Sequence, residues 1–292
     1  MKTAHLILAY KNPYQVRRLA RVLTACPEFD CWVHIDKKVD IELFAPFLHL
    51  PRVRFIRNRV PVNWGGYSCL EAAFNGLREI IESKEDYDFV NLLSGQDYPI
   101  KPVDEINDFL SANRNKSFLA VETEPSAWWE HAIGRLTKYH FTDFGFKGKT
   151  VLQQLMNRLM PDRQFMQSFS LYGGPYSSYW TLSMQAAAYV HDFVENNKKL
   201  VDHCRYTWAP DEFLVSTILM NSPLRDELVN KSLRYIDWSE GGGHPRILNA
   251  SDFGPLMNSS CLFARKFDME ADPKLLTKVD TLLLGQTIDT LS

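Results

Sequence analysis

No excess of charge marks this chain. Its 292 residues carry 33 Lys and Arg against 35 Asp and Glu, a formal net charge of −2. That balance gives no reason to expect a nucleic acid or a strongly anionic membrane as partner. Long apolar runs are missing too. At the amino terminus the run from Ala4 to Ala9 is broken by His5, too short for a signal h-region or a membrane span. The expectation is a cytoplasmic protein without a transmembrane segment. Peripheral attachment at the inner face of a membrane stays open, although no basic amphipathic helix stands out.

Cysteine is sparse and unpaired. Cys26, Cys31, Cys69, Cys204 and Cys261 form no CxxC and are odd in number, so reduced thiols are expected rather than a disulfide framework. The eight histidines make no HxxxH pair. Cys31 and His34 have Cys-x-x-His spacing, but on a strand they point to opposite faces. GxGxxG, GxSxG and P-loop patterns are absent.

What is present is a rhythm. Leu6-Ile7-Leu8-Ala9 is a short apolar run, and helical periodicity through Val16, Leu19 and Val22 follows it. Cys31 to Ile35 has a buried-strand pattern that stops at Asp36, and Val53 to Ile56 is another short strand. Ser68-Cys69-Leu70-Glu71 has the form of a capping box opening a helix to about Ile81. Phe89 to Leu93 is a further buried strand, ending in Ser94-Gly95-Gln96-Asp97. A strand at Tyr179 to Leu182 leads into a helix from Met184. Pro210-Asp211-Glu212 is expected to open a helix over Phe213 to Met220. Strands alternating with amphipathic helices predict an α/β fold. It would be one domain over residues 1–292, with a mostly parallel central sheet and helices on both faces.

Ligands in such sheets bind at the carboxyl ends of strands, where Asp36, Gln96 and Asp97 fall. Glu212, in an expected first helical turn, would be held ionised by the backbone N–H groups, as a general base requires. On the local pattern alone, an ordinary helix-opening acid is the more economical reading. Arg265-Lys266 is either a surface pair or a clamp on a diphosphate. Trp64 and Trp238 can stack on sugars or simply pack. Gly241-Gly242-Gly243 permits close approach to a ligand or makes a mobile loop. Asp86-Tyr87-Asp88 has the two-carboxylate spacing of a metal site but precedes its strand, which puts it at the amino end as a solvated turn.

The order of these motifs resembles the core-2/I-branching N-acetylglucosaminyltransferase family, which includes the peptide O-xylosyltransferases. The resemblance rests on Tyr10-Lys11, His34-Ile35-Asp36-Lys37, Trp64-Gly65-Gly66, Leu93-Ser94-Gly95-Gln96-Asp97-Tyr98-Pro99-Ile100, Pro210-Asp211-Glu212 and Phe263-Ala264-Arg265-Lys266-Phe267. It runs over most of the chain. It implies a GT-A-like fold and an inverting transferase that uses a uridine-diphosphate sugar, N-acetylglucosamine or xylose, and requires no metal or other cofactor. Glu212 would be the base and Arg265 and Lys266 would hold the diphosphate. Asp36 would contact the ribose, and Gln96, Asp97 and Arg135 would line the donor. Trp238, Asp211 and Trp64 would face a glycan or glycolipid acceptor. The chain shows neither the anchor nor the paired cysteines of animal members, so it looks like a bacterial relative building a polysaccharide or glycolipid. Two alternatives remain at this point: a metal-dependent transferase using Asp86 and Asp88, and a non-catalytic nucleotide-sugar or glycan-binding protein.

Overall fold

A computed structural model describes residues 1–47, 50–165 and 168–284. The chain opens with β1 (Thr3–Ala9), α1 (Pro13–Leu23), β2 (Phe29–Ile35), β3 (Val53–Phe55), α2 (Ser68–Glu82), β4 (Phe89–Ser94), β5 (Tyr98–Pro99) and α3 (Val103–Ala112). Next come β6 (Ser117–Leu119), β7 (Glu122–Thr123), α4 (Ala127–Thr137), α5 (Lys149–Leu159), β8 (Tyr172–Gly173), β9 (Thr181–Ser183), α6 (Met184–Asn196) and α7 (Lys198–Cys204). It closes with α8 (Leu214–Met220), β10 (Leu228–Asn230), β11 (Arg234–Ile236), α9 (Phe253–Asn258), β12 (Phe263–Arg265) and α10 (Pro273–Leu284). The α/β class and the mostly parallel sheet expected from the sequence are what forms. The contacts gather into two compact units, each built from separate stretches of chain.

The first unit takes Met1–Arg57, Lys84–Asn115 and the chain from Leu233 onward. Four of its strands lie in the order β3-β2-β1-β4, all parallel, and β12 pairs parallel with β11 and antiparallel with β5 in a second, smaller sheet. The residues of β1, β2 and β4 are buried almost without exception, which is why they read as continuous apolar runs rather than alternating ones. In α1, Val16, Leu19 and Val22 are buried as their spacing predicts. Arg18 of the same helix is buried as well, its guanidinium paired with Asp280 of α10, whose other oxygen accepts the Tyr98 hydroxyl at 2.6 Å. The chain leaves β1 for β2 and β3 on one side, then returns to β4 on the other. The carboxyl ends of β1 and β4 therefore flank a topological switch point, where open α/β sheets take their ligands.

The second unit takes Asn58–Ser83 and Lys116–Ser232. Strand β6 pairs parallel with β10 and antiparallel with β9, and β7 with β8 forms a two-stranded ribbon. Helix α6 starts at Met184 as expected, capped by the Ser183 hydroxyl, which accepts from the Ala186 N–H at 3.2 Å.

Two expected helix starts differ. Helix α2 forms without the capping box: Ser68 is its first helical residue and caps nothing. Its hydroxyl accepts from the Asn63 N–H at 2.8 Å and donates to Asp143 at 2.6 Å. A tertiary carboxylate has taken the hydroxyl that the local pattern assigned to the helix. The expected helix at Pro210 also splits. Pro210–Glu212 is a single 3-10 turn. Phe213, at φ −146°, interrupts the helical path before α8. Glu212 thus lies ahead of the helix rather than in its first turn, and its ionisation is set by its surroundings and not by a helix end.

Candidate active site

The first unit gathers charge where β1, β4 and β12 end. After β1, Asn12 sits in the left-handed region at φ 51°. That turn brings its amide onto Asp268 Oδ1 at 3.1 Å, while Lys11 Nζ donates to Asp268 Oδ2 at 2.6 Å. Gln15 Nε2 donates to the carbonyls of Gly95 at 2.8 Å and Phe267 at 3.1 Å, and Gln15 Oε1 accepts the Met269 N–H at 2.8 Å. One buried glutamine on α1 thereby fixes the loops that follow β4 and β12. Asp36 ends β2, buried, its Oδ1 accepting the Lys38 N–H at 2.8 Å.

After β4, Asp97 is fully buried and folds back on Ser94, accepting that residue's N–H at 2.6 Å and its hydroxyl. Its Oδ1 has no hydrogen bond among the described residues, and Arg265 Nε stands 3.9 Å away. Gln96 is buried, with Nε2 at 3.4 Å from both the Phe267 carbonyl and Asp268 Oδ2. The structure therefore brings Gln96, Asp97, Arg265 and Lys266 together. It adds Lys11 and Asp268 to them.

The electrostatics of this cluster are lopsided. Burial and then the charges of Arg265 and Lys11 hold the Lys266 ammonium below its ordinary pKa, outweighing Asp97 and Asp268. For Lys11, burial acts the same way, but the Asp268 contact more than offsets it and raises its pKa. Burial and then Lys266 and Arg265 also lower His244. Three cations against two carboxylates leave Lys266 short of negative charge, which is the environment of an anion site. Nearby, Arg246 bridges Asp237 at 2.5 Å and Asp252 at 2.7 Å. This pins the segment that carries Trp238, whose half-buried indole leaves Nε1 without a hydrogen bond among the described residues. Gly241 and Gly242 have φ of 67° and 89°, so the glycine run serves a turn there.

The second unit gathers chemistry around Glu212. Ala209, at φ 49°, donates its N–H to the Gly65 carbonyl at 2.7 Å. This contact joins the Trp208-Ala209-Pro210 segment to the Trp64-Gly65-Gly66 turn. Trp64 is 55% exposed and meets Trp208 edge to face at 5.0 Å. Both glycines are needed: a Cβ on Gly65 would come 2.9 Å from the Trp208 ring, and one on Gly66 would come 2.2 Å from Asp143 Oδ1. The Glu212 carbonyl accepts the Gly174 N–H at 2.9 Å. Its carboxylate takes the Arg135 guanidinium, which lies over the Trp128 ring at 5.5 Å. Arg135, expected as a donor contact, is thus placed on the candidate base itself. Burial first, then the charge of neighbouring Asp211, pushes the Glu212 carboxyl up to about 7 against the opposing pull of Arg135. A carboxyl poised there can accept a proton near neutral pH.

The acidic pair of the rival metal site lies elsewhere in the first unit. Asp88 precedes β4 beside the start of β1, its carboxylate taken by the Lys2 N–H and by Arg114 Nε, each at 2.8 Å. Asp86 is exposed. The described residues contain no group of three or more His, Cys, Asp or Glu placed to hold a metal ion.

The model of the Core-2/I-Branching enzyme family matches residues 3–258. Among curated proteins, Xylosyltransferase oxt of Drosophila pseudoobscura pseudoobscura is 28% identical over 93% of this chain and 32% of its own length. Xylosyltransferase 2 of Rattus norvegicus is 28% identical over 92% of this chain and 32% of its own. The chain thus spans about a third of the length of these relatives. Among solved structures, apo mouse xyloside xylosyltransferase 1 aligns over 90% of this chain and 97% of its own, with 8% identity and a TM-score of 0.38. The 4-diphosphocytidyl-2C-methyl-D-erythritol synthase of Anaerococcus prevotii covers 88% of this chain and 95% of its own, with 13% identity and a TM-score of 0.39.

Proposed function

The chain belongs to the Core-2/I-Branching enzyme family, and from that premise we propose that it is an inverting glycosyltransferase. It moves a sugar from a uridine-diphosphate donor to a hydroxyl of a glycan or glycolipid acceptor, without a metal ion. The observation that carries this reading is the cluster in which Arg265 Nε stands 3.9 Å from buried Asp97 and Lys11 pairs with Asp268, where Lys266 is held below its ordinary pKa by burial and by the neighbouring cations. A diphosphate supplies the charge that these cations lack, and they supply what a divalent ion would otherwise give a departing nucleotide.

The chemistry follows in one displacement. Glu212 takes the proton of the acceptor hydroxyl, and that oxygen forms a bond to C1 of the donor sugar. The bond from C1 to the diphosphate oxygen breaks, its electron pair leaving with the nucleotide. The sugar passes through an oxocarbenium-like state and its anomeric configuration inverts. Arg265 and Lys266 neutralise the charge that grows on the leaving diphosphate. Asp36 contacts the ribose, and Gln96 and Asp97 line the donor. Trp238, Trp64 and Asp211 serve the acceptor. Arg135 orients the Glu212 carboxylate and limits the rise of its pKa, and a donor contact from the same guanidinium fits this role.

The curated relatives are xylosyltransferases, so xylose and N-acetylglucosamine are the donor sugars to try first. The test is release of free uridine diphosphate from the two donors, with EDTA present and a glycan panel as acceptors. Acceptor-dependent release is expected. Donor binding without release for any acceptor would leave a binding protein instead.

A further inference from the structure

Helix α5 in the second unit is inside out. Two of its polar side chains face the protein: Gln153 Oε1 accepts the Phe141 N–H at 2.8 Å. Asn157 Oδ1 accepts the Tyr139 N–H at 2.7 Å, and Nδ2 of the same side chain donates to the Tyr139 carbonyl at 2.9 Å. Its apolar side chains face solvent. Val151 is 69% exposed, Leu155 50% and Leu159 72%, with Leu152 beside them at 41%. At about 100° per residue these four fall on one arc of the helix, and no residue of α5 is buried. Phe146 before the helix and Met160 after it are also exposed. An amphipathic helix normally turns this stripe inward. Here the hydrogen bonds to the 139–141 backbone hold it outward.

The surrounding charge selects the occupant. From Phe144 to Pro161 the chain carries Lys147, Lys149 and Arg158 and no acidic residue, a local charge of +3 in a chain of net −2. The flanking acids have partners, Asp143 through Ser68 and Asn63 and Asp162 through Lys138. An apolar stripe with a large aromatic, in a segment whose only charges are cations, is what inserts at the headgroup level of an anionic bilayer. Exposed apolar patches of a few hundred Å² mark interaction surfaces, and one helix face falls short of the ~800 Å² per partner of a stable protein interface. We propose that α5 docks the protein on an anionic lipid surface through Val151, Leu152, Leu155 and Leu159. The overall charge balance conceals this patch, and the sequence alone did not reveal a basic amphipathic helix. The inference does not depend on the transferase reading.

Co-sedimentation of the whole protein with phosphatidylcholine vesicles, with and without phosphatidylglycerol, tests it. Binding at least about tenfold tighter to the anionic vesicles is expected, weakening as salt rises. L155D/L159D should lower that binding at least about tenfold while thermal unfolding and uridine diphosphate titration stay as in the parent chain. K147E/R158E, which leaves the stripe intact, should remove the preference for anionic lipid. Failure of the parent chain to bind anionic vesicles would overturn the proposal, as would unchanged binding in both variants. A dimer that L155D/L159D dissociates, with no vesicle binding, would assign the stripe to a second copy of the chain.

Discussion

Burial acts with opposite sign in the two units. In the first it works against a cation, holding Lys266 below its ordinary pKa with help from Arg265 and Lys11. In the second it works against an anion, lifting Glu212 to about 7 with help from Asp211. The same desolvation therefore leaves one unit wanting negative charge and the other wanting a proton. A transferase needs both: a counter-charge for the departing diphosphate and a base for the incoming hydroxyl. Neither group sits in a simple ion pair that would cancel it. Lys266 shares Asp97 and Asp268 with two other cations, and Glu212 keeps Arg135 yet remains raised.

Substitutions can break this contrast one side at a time. The largest effect is expected from Glu212→Gln. Turnover should fall by about 10²–10⁴, the usual contribution of a general base, with nucleotide affinity within about twofold of the parent chain. A retained rate would remove Glu212 from the reaction. Next, Arg265→Ala with Lys266→Ala should weaken uridine diphosphate binding by about 2–4 kcal/mol, the scale of losing charge-assisted hydrogen bonds. Calorimetry reads it, and unchanged affinity would misplace the clamp.

The pH profile sharpens the other side. A base must be deprotonated to act, so kcat/KM should rise with pH up to the Glu212 pKa near 7 and level off above it. The stability sign is the reverse. A carboxyl raised in the folded state binds its proton more tightly there, so Glu212 costs stability as pH climbs from its ordinary value through about 7. Arg135→Met removes the opposing charge and should move the acidic limb to higher pH. A limb that stays in place would mean that Arg135 does not tune Glu212. The smallest effect belongs to Asp86→Asn with Asp88→Asn, expected to change nucleotide affinity less than about twofold. It should lower stability only slightly, through the Lys2 and Arg114 contacts of Asp88. A large loss of turnover would revive a metal site there.

The sequence showed most of the first unit and less of the second, for a physical reason. Strands β1, β2 and β4 are buried on both faces, so each reads as an unbroken apolar run whose last residue marks a strand end. Asp36, Gln96 and Asp97 followed directly. The pairing of Lys11 with Asp268 could not, because the contact spans 257 residues and the Tyr10-Lys11 motif says nothing of what the ammonium meets. In the second unit the local signals were genuine but outcompeted. Ser68 had a capping partner at the right spacing, and Asp143 took its hydroxyl. Pro210-Asp211-Glu212 read as a helix start, and the buried Phe213 broke it. Helix α5 was hidden for a related reason. Its periodicity says nothing of which face turns outward until Gln153 and Asn157 find the backbone at 139–141.

The metal-free clamp is tested most directly by one titration: uridine diphosphate into the purified protein by calorimetry, with EDTA throughout, for the parent chain and for Arg265→Ala/Lys266→Ala. Micromolar binding by the parent chain in EDTA, lost in the double variant, is the predicted result. Binding that appears only when a divalent ion is restored, or that survives loss of both cations, would contradict the metal-free clamp.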